Sequence, residues 1–288
     1  MGEYKSTGAV VPTSCTCKSP ASEVDLHQVD DVGAEPDILN VKHDVSPNFH
    51  SKRALVSGPL TELGKKIISE LCKQGAKVIA LGGQLEELSI LKNAHPQIQV
   101  IPVDLRNWKQ TEEALSEIPA VDFLVNCAEF NAIDSVVDVK EEDADKILDI
   151  NLKAVINVSR LIAKSFIKHS IRGSIVNVSS QASKIGLRKQ SLFCASKAGL
   201  DGYTRAAALE LASLGIRINC VNPTVLTTEL KENIWSDVRM SEALLSRIPL
   251  KKFCKLQEVV DAIIFLLSDN ASFITGICLS IDGGISSS

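Results

Sequence analysis

Ring-bearing and flexible side chains are scarce: the 288 residues include two Tyr, two Trp and two Met, and aromatics make up only 4%. A core built from this chain must therefore rest on Ile, Leu, Val and Ala, for which an apolar content of 45% is ample. Positive charge is not in excess. The formal net charge is -4, and no basic stripe of the kind that holds nucleic acid is present, which argues against nucleic-acid partners. Long apolar runs are missing as well. The longest, Val259–Leu267, is broken by Asp261 and is too short to cross a bilayer, so no membrane span is expected. Cys15-x-Cys17 lacks a second ligand pair, and the five histidines show no ligand spacing, so no metal site is expected. The other six cysteines, Cys72, Cys127, Cys194, Cys220, Cys254 and Cys278, lie singly among apolar stretches, as buried thiols do. With no signal peptide visible, the expected location is cytoplasmic.

Charge and pattern divide the chain in two. Residues 1–51 carry eight acidic and three basic side chains and no sustained period, which predicts a disordered acidic extension. Met1-Gly2-Glu3-Tyr4-Lys5-Ser6 formally fits the N-myristoylation pattern, although Glu3 and Tyr4 make it a poor match. From residue 52 to 288 a regular alternation begins. Short β-branched runs occur at Ala54–Ser57, Lys77–Leu81, Val100–Val103, Phe123–Val125, Ser174–Val178 and Arg217–Val221, and near Ile277–Ile281. Amphipathic segments separate them, at Leu63–Lys73, Leu85–Asn93, Trp108–Ser116, Glu142–His169, Ser196–Ala212, Ser241–Ser246 and Gln257–Leu267. Strands apolar on both faces and separated by helices predict a parallel sheet covered on two sides. Seven strands in one such unit make a single doubly wound, Rossmann-type α/β domain.

Five runs carry chemistry. The first turn reads Ser57-Gly58-Pro59-Leu60-Thr61-Glu62-Leu63-Gly64; the second strand ends Ala80-Leu81-Gly82-Gly83-Gln84. Val103-Asp104-Leu105 follows the third strand, and Asn126-Cys127-Ala128-Glu129 the fourth. Ser180 ends the fifth, thirteen residues before Phe193, and Phe193 and Lys197 share one helix face at a spacing of four. Together with Asn151 in the central helix and the closing Ile281-Asp282-Gly283-Gly284, these runs resemble the short-chain dehydrogenase/reductase family from about Ser51 to Gly284. Ile234-Trp235-Ser236-Asp237, Arg247-Ile248-Pro249-Leu250 and Phe265-Leu266-Leu267-Ser268-Asp269 resemble its dicarbonyl/L-xylulose reductase branch.

The resemblance implies NADPH-dependent carbonyl reduction by a homotetramer. It assigns Ser180, Lys197 and Asn151 to the catalytic frame, and Gly58, Gly64, Asp104, Asn126 and Lys197 to cofactor binding. It also exposes departures. The family's acid tyrosine is Phe193, which has no proton to donate. Glu62 stands at the middle glycine of the diphosphate turn, Leu60 at another small position, and Gly82-Gly83 where a 2′-phosphate arginine belongs. Glu129 ends a run that in the family closes on glycine.

A carboxylate about 5 Å from a phosphate charge costs about 3 kcal/mol at an effective dielectric of about 20. Gly58 and Gly64 are accordingly read as turn and packing glycines in preference to a weakened phosphate site. Lys197 then needs a carboxylate partner, for which Glu62 and Glu129 are the candidates. Tyr203 lies about 15 Å along the helix from Phe193, too far to replace the tyrosine. The expectation is a catalytically silent relative with no NADP(H) or weakly bound NADP(H), working through its own oligomer or with an active paralogue. The alternatives are a working or residual NADPH-dependent carbonyl reductase, and a small-molecule sensor using the altered cleft.

Overall fold

Alternating apolar residues on each strand point to opposite faces of one sheet, and both faces are covered. A computed structural model of the chain describes residues 49–228 and 237–287. The strands are β1 Arg53–Ser57, β2 Lys77–Leu81, β3 Gln99–Ile101, β4 Phe123–Asn126, β5 Ser174–Val178, β6 Arg217–Pro223 and β7 Cys278–Ile281, in the spatial order β3-β2-β1-β4-β5-β6-β7. Every pairing between them is parallel. The doubly wound, seven-stranded sheet expected from the periodicity is therefore present.

The helices are α1 Glu62–Lys73, α2 Leu85–Ala94, α3 Trp108–Ser116, α4 Glu141–Leu148, α5 Val155–Lys168, α6 Ser191–Leu211, α7 Val238–Arg247 and α8 Leu256–Leu267. Ala54 and Val56 of β1 face the core shared with Ile67 and Ile68 of α1 and Ile263 of α8. Leu55 faces the opposite core, with Val158, Ile162 and Phe166 of α5. Residue parity alone thus decides which layer each side chain joins.

Three local features differ from the periodic reading. The central amphipathic segment is not one helix: a π-helical turn, Asp149–Ala154, joins α4 to α5. Such a bulge requires an extra partner for the displaced backbone, and Asn151 provides the local reason, described below. Helix α6 begins five residues earlier than expected, which places Phe193 in its first turn. The folded chain also reaches behind residue 52, because Phe49 is buried with its ring centroid 4.9 Å from that of Phe123. The acidic extension, the acylation pattern at Gly2, Cys15-x-Cys17 and Ile234-Trp235-Ser236 lie outside the described residues.

The sheet order reverses between β1 and β4. In open α/β sheets, ligands bind at the carboxyl ends of the strands beside that reversal. The five runs that carry chemistry gather there.

Candidate functional site

Two cavities of about 370 Å³ each open at this edge. The outer one is lined by Gly58, Leu60, Gly83, Asp104 and Arg106 among others, and the inner one by Ser180, Gln181, Phe193 and Thr224 among others. Thr61 and Glu129 line both and so form the neck between them.

The turn after β1 is held by its own residues. Thr61 caps α1, its Oγ1 accepting from Gly64 N at 2.9 Å and donating to Gly58 O at 3.1 Å. Gly58 has φ +69°, and a Cβ there would lie 2.3 Å from Ala128 N; a Cβ on Gly64 would lie 2.4 Å from Gly58 O. Both glycines are required by close backbone approach whether or not a phosphate binds. Leu60 folds over Gly83, where a Cβ would meet Leu60 Cδ1 at 2.4 Å.

Glu62 behaves differently from the expectation. Its carboxylate pairs with Lys65 at 2.8 Å, with 62% of its side chain exposed, so solvent screens the repulsion assigned to it. The carboxylate that reaches Lys197 is that of Glu129. Its Oε2 lies 2.7 Å from Lys197 Nζ, which also donates to Val178 O at 3.0 Å. The lysine side chain is 1% exposed, against 35% for the glutamate. An ammonium that deep requires a countercharge, and Glu129 supplies it. The Phe193 ring completes the enclosure, its centroid 5.4 Å from Nζ, within cation–π range. Phe193 therefore covers the lysine that a tyrosine hydroxyl would use.

Asn151 is fully buried and is spent on backbone. Its Oδ1 accepts from Phe130 N at 2.8 Å, and its Nδ2 donates to Phe130 O at 2.9 Å and to Ser196 Oγ at 3.1 Å. These bonds tie the π turn to the loop after β4 and to α6. Ser180 is half-buried beside the inner cavity, and its hydroxyl accepts from Ala182 N at 3.2 Å as the cap of a short 3₁₀ turn. Asp104 is gripped by Arg106, with Nη2–Oδ2 at 2.6 Å and Nε–Oδ1 at 3.0 Å. That guanidinium, by hydrogen bonding first, holds the Asp104 carboxyl below the usual carboxylate range. Arg106, which the sequence reading did not single out, thus pairs with the aspartate assigned to cofactor binding.

Asn126 is consumed by the sheet. Its Oδ1 accepts from Ser57 Oγ at 3.0 Å, and its Nδ2 donates to Ser159 Oγ and Asn177 Oδ1, both at 2.9 Å. Asn177 continues to Thr204 at 2.9 Å, and Thr204 Oγ1 lies 3.1 Å from Cys220 Sγ. A buried polar rung thereby crosses β1, β4, β5 and β6, braced by α5 and α6. Tyr203 is bonded to Ser159 with its pKa raised by burial, and it packs against the core beside α5, lining neither cavity. Cys127, at the neck, is wholly buried, which pushes its thiol to about 11.

The frame places this chain in the short-chain dehydrogenase/reductase family, and comparison with known proteins agrees. A family model described as enoyl-(acyl carrier protein) reductase matches residues 60–286. L-xylulose reductase of Mus musculus is 42% identical over 233 residues, covering 81% of this chain and 96% of that protein. Carbonyl reductase [NADPH] 2 of Sus scrofa is 35% identical over 237 residues, covering 82% and 97%. The solved structure of 4-hydroxyisoleucine dehydrogenase complexed with NADH is 29% identical with a TM-score of 0.78, covering 82% of this chain and 99% of that one.

Against the cofactor that the family implies, the two ends of the cleft and its neck give different answers. The inner end fits a polar ligand: Gln181 Oε1 and Thr224 Oγ1 are buried there without a hydrogen-bond partner among the described residues. The outer end is open, with Asp104 in a half-exposed, solvent-screened pair with Arg106. The neck does not fit, because the ammonium that would meet a ribose is already bonded to Glu129, beside a ring with no proton to give.

Proposed function

We propose that this protein is a short-chain dehydrogenase/reductase that binds NADP(H) weakly and does not reduce carbonyls, acting in the cytoplasm as an oligomeric partner. The observation that carries this reading is the Glu129–Lys197 pair at 2.7 Å, closed over by Phe193. In a working site the lysine lowers the pKa of the acid and holds the ribose; here neither the acid nor the free ammonium is available. Loss of a positioned general acid alone removes about 10²–10⁴ in rate. Its assembly is proposed as a homotetramer, or a hetero-oligomer with an active paralogue.

The second reading is an NADPH-dependent reductase of small carbonyls such as L-xylulose. The 42% identity to a named L-xylulose reductase favours it, as do the orphaned polar atoms of Gln181 and Thr224. Those same atoms also favour a small polar ligand held without turnover. One experiment separates these readings. NADPH and NADH are titrated against the protein by fluorescence quenching and thermal shift, and L-xylulose-dependent NADPH oxidation is followed in parallel. Weak binding without oxidation is expected. Tight binding with oxidation that Lys197→Ala abolishes would establish the reductase.

A further inference from the structure

Cys220 and Cys278 lie far apart in the chain, but sheet pairing makes them neighbours. They are register partners on β6 and β7. Their sulfurs and a carboxylate oxygen of Asp201 all lie within 4.8 Å of one another. Register partners on adjacent strands stand about 4.8 Å apart, within the Cα range a disulfide spans. Neither thiol belongs to the cleft chemistry above.

The surroundings distinguish the two sulfurs. Cys220 is fully buried behind Thr204, whereas Cys278 is half-buried on β7, the outermost strand. Arg205 Nη1 lies 3.7 Å from Cys278 Sγ. The hydrogen bond from Cys220 draws the Cys278 thiol below its ordinary value, against burial and the Asp201 carboxylate, which push it up, and with help from the nearby Arg205 charge; burial holds Cys220 well above. One half-buried sulfur beside one fully shielded thiol is the arrangement of an attacking and a resolving cysteine. A metal is the competing occupant of this cluster. Among the described residues, however, the cluster offers three ligand atoms, one short of a closed tetrahedral site, and its Asp201 carboxylate already accepts from Asn222 Nδ2 at 3.1 and 2.9 Å.

We propose that Cys278 and Cys220 form a reversible redox site that hydroperoxides oxidise to an intramolecular disulfide. The Cys278 thiolate attacks the peroxide; an S–O bond forms, the O–O bond breaks, and the alcohol or water leaves with a proton from solvent. The Cys220 thiol then displaces hydroxide from the sulfenic sulfur and gives up its own proton, so that water departs. Two thiols and one peroxide become one disulfide, one alcohol or water, and one further water. The product staples the edge strand to its neighbour and is returned to thiols by a small dithiol.

The test treats the full chain with hydrogen peroxide, blocks remaining thiols, and maps peptides without reduction. A cross-linked Cys220–Cys278 peptide is expected, about 2 Da lighter than the two thiol peptides, and lost with dithiothreitol. Cys220→Ser should leave a sulfenic acid at Cys278 that dimedone traps, and Cys278→Ser should abolish both products. Thermal melting of the unsubstituted protein should rise on oxidation, a readout independent of how the variants fold. The proposal is overturned if both thiols remain alkylatable while Cys72 or Cys194 oxidises. Oxidation of Cys278 to sulfinic acid without a cross-link, or protection of both intact thiols by stoichiometric zinc, would overturn it as well.

Discussion

The Glu129 carboxylate and the Lys197 ammonium form a nearly sealed ion pair, 2.7 Å apart, with the lysine 1% exposed and the glutamate one-third exposed. The pair joins the loop after β4 to helix α6 across the neck of the cleft. Removing its acidic member leaves a cation with only Val178 O and an aromatic face for company.

Glu129→Gln is expected to destabilise the fold by about 2 kcal/mol, below the usual cost of breaking a buried pair because the glutamate is partly solvated. Glu129→Gln with Lys197→Met should recover most of that loss. Urea denaturation of the two single variants and the double variant measures the coupling, and additive losses would remove the pair from its structural role.

Phe193→Tyr alone should not start carbonyl reduction, because Lys197 stays bonded to Glu129. Phe193→Tyr combined with Glu129→Gly should raise NADPH oxidation by about 10²–10⁴ over the single variant. Activity from Phe193→Tyr alone would show that the glutamate yields to the cofactor.

Gly58→Ala should cost at least about 2 kcal/mol without any nucleotide present, since its φ is +69° and a Cβ would lie 2.3 Å from Ala128 N. A loss seen only as weakened cofactor binding, with unchanged melting, would assign the glycine to a phosphate.

Asn151→Ala removes three bonds to Phe130 and Ser196 and should cost about 2–3 kcal/mol. Slower hydrogen exchange at the Phe130 amide than at its neighbours, lost in the variant, would locate the effect.

Alkali should destabilise the protein through Cys127, whose thiol is raised from 9.0 to about 11 by burial. The folded state prefers the protonated thiol, so its contribution is complete below pH 9.0 and is lost as pH climbs toward about 11. The loss amounts to roughly 2–3 kcal/mol. Cys127→Ala should flatten the alkaline limb of the stability profile, and an unchanged slope would exclude the thiol as its source.

Strands and helices were legible because alternation and helical spacing are local properties: all seven strands fall where the β-branched runs predict them. The identity of the lysine's partner was not. Glu62 and Glu129 were equal candidates by sequence, and only the fold shows Glu62 turned outward to Lys65. Arg106 closing on Asp104 could have been anticipated, since the two stand two residues apart. The meeting of Cys220 with Cys278 could not, because strand register brings it about. The π turn falls in the same class, since Asn151 finds Phe130 only after β4 and the central helix have packed.

The rung Ser57–Asn126–Asn177–Thr204–Cys220 has a consequence for strand register. Each side chain in it is satisfied only by neighbours from other strands or helices, so a partly assembled sheet, or one slipped by a residue, carries several dry, unbonded polar groups at once. Such misassembled species are penalised in energy relative to the native register. The rung thus favours one strand register over its neighbours, and it does so without reference to any reaction at the cleft.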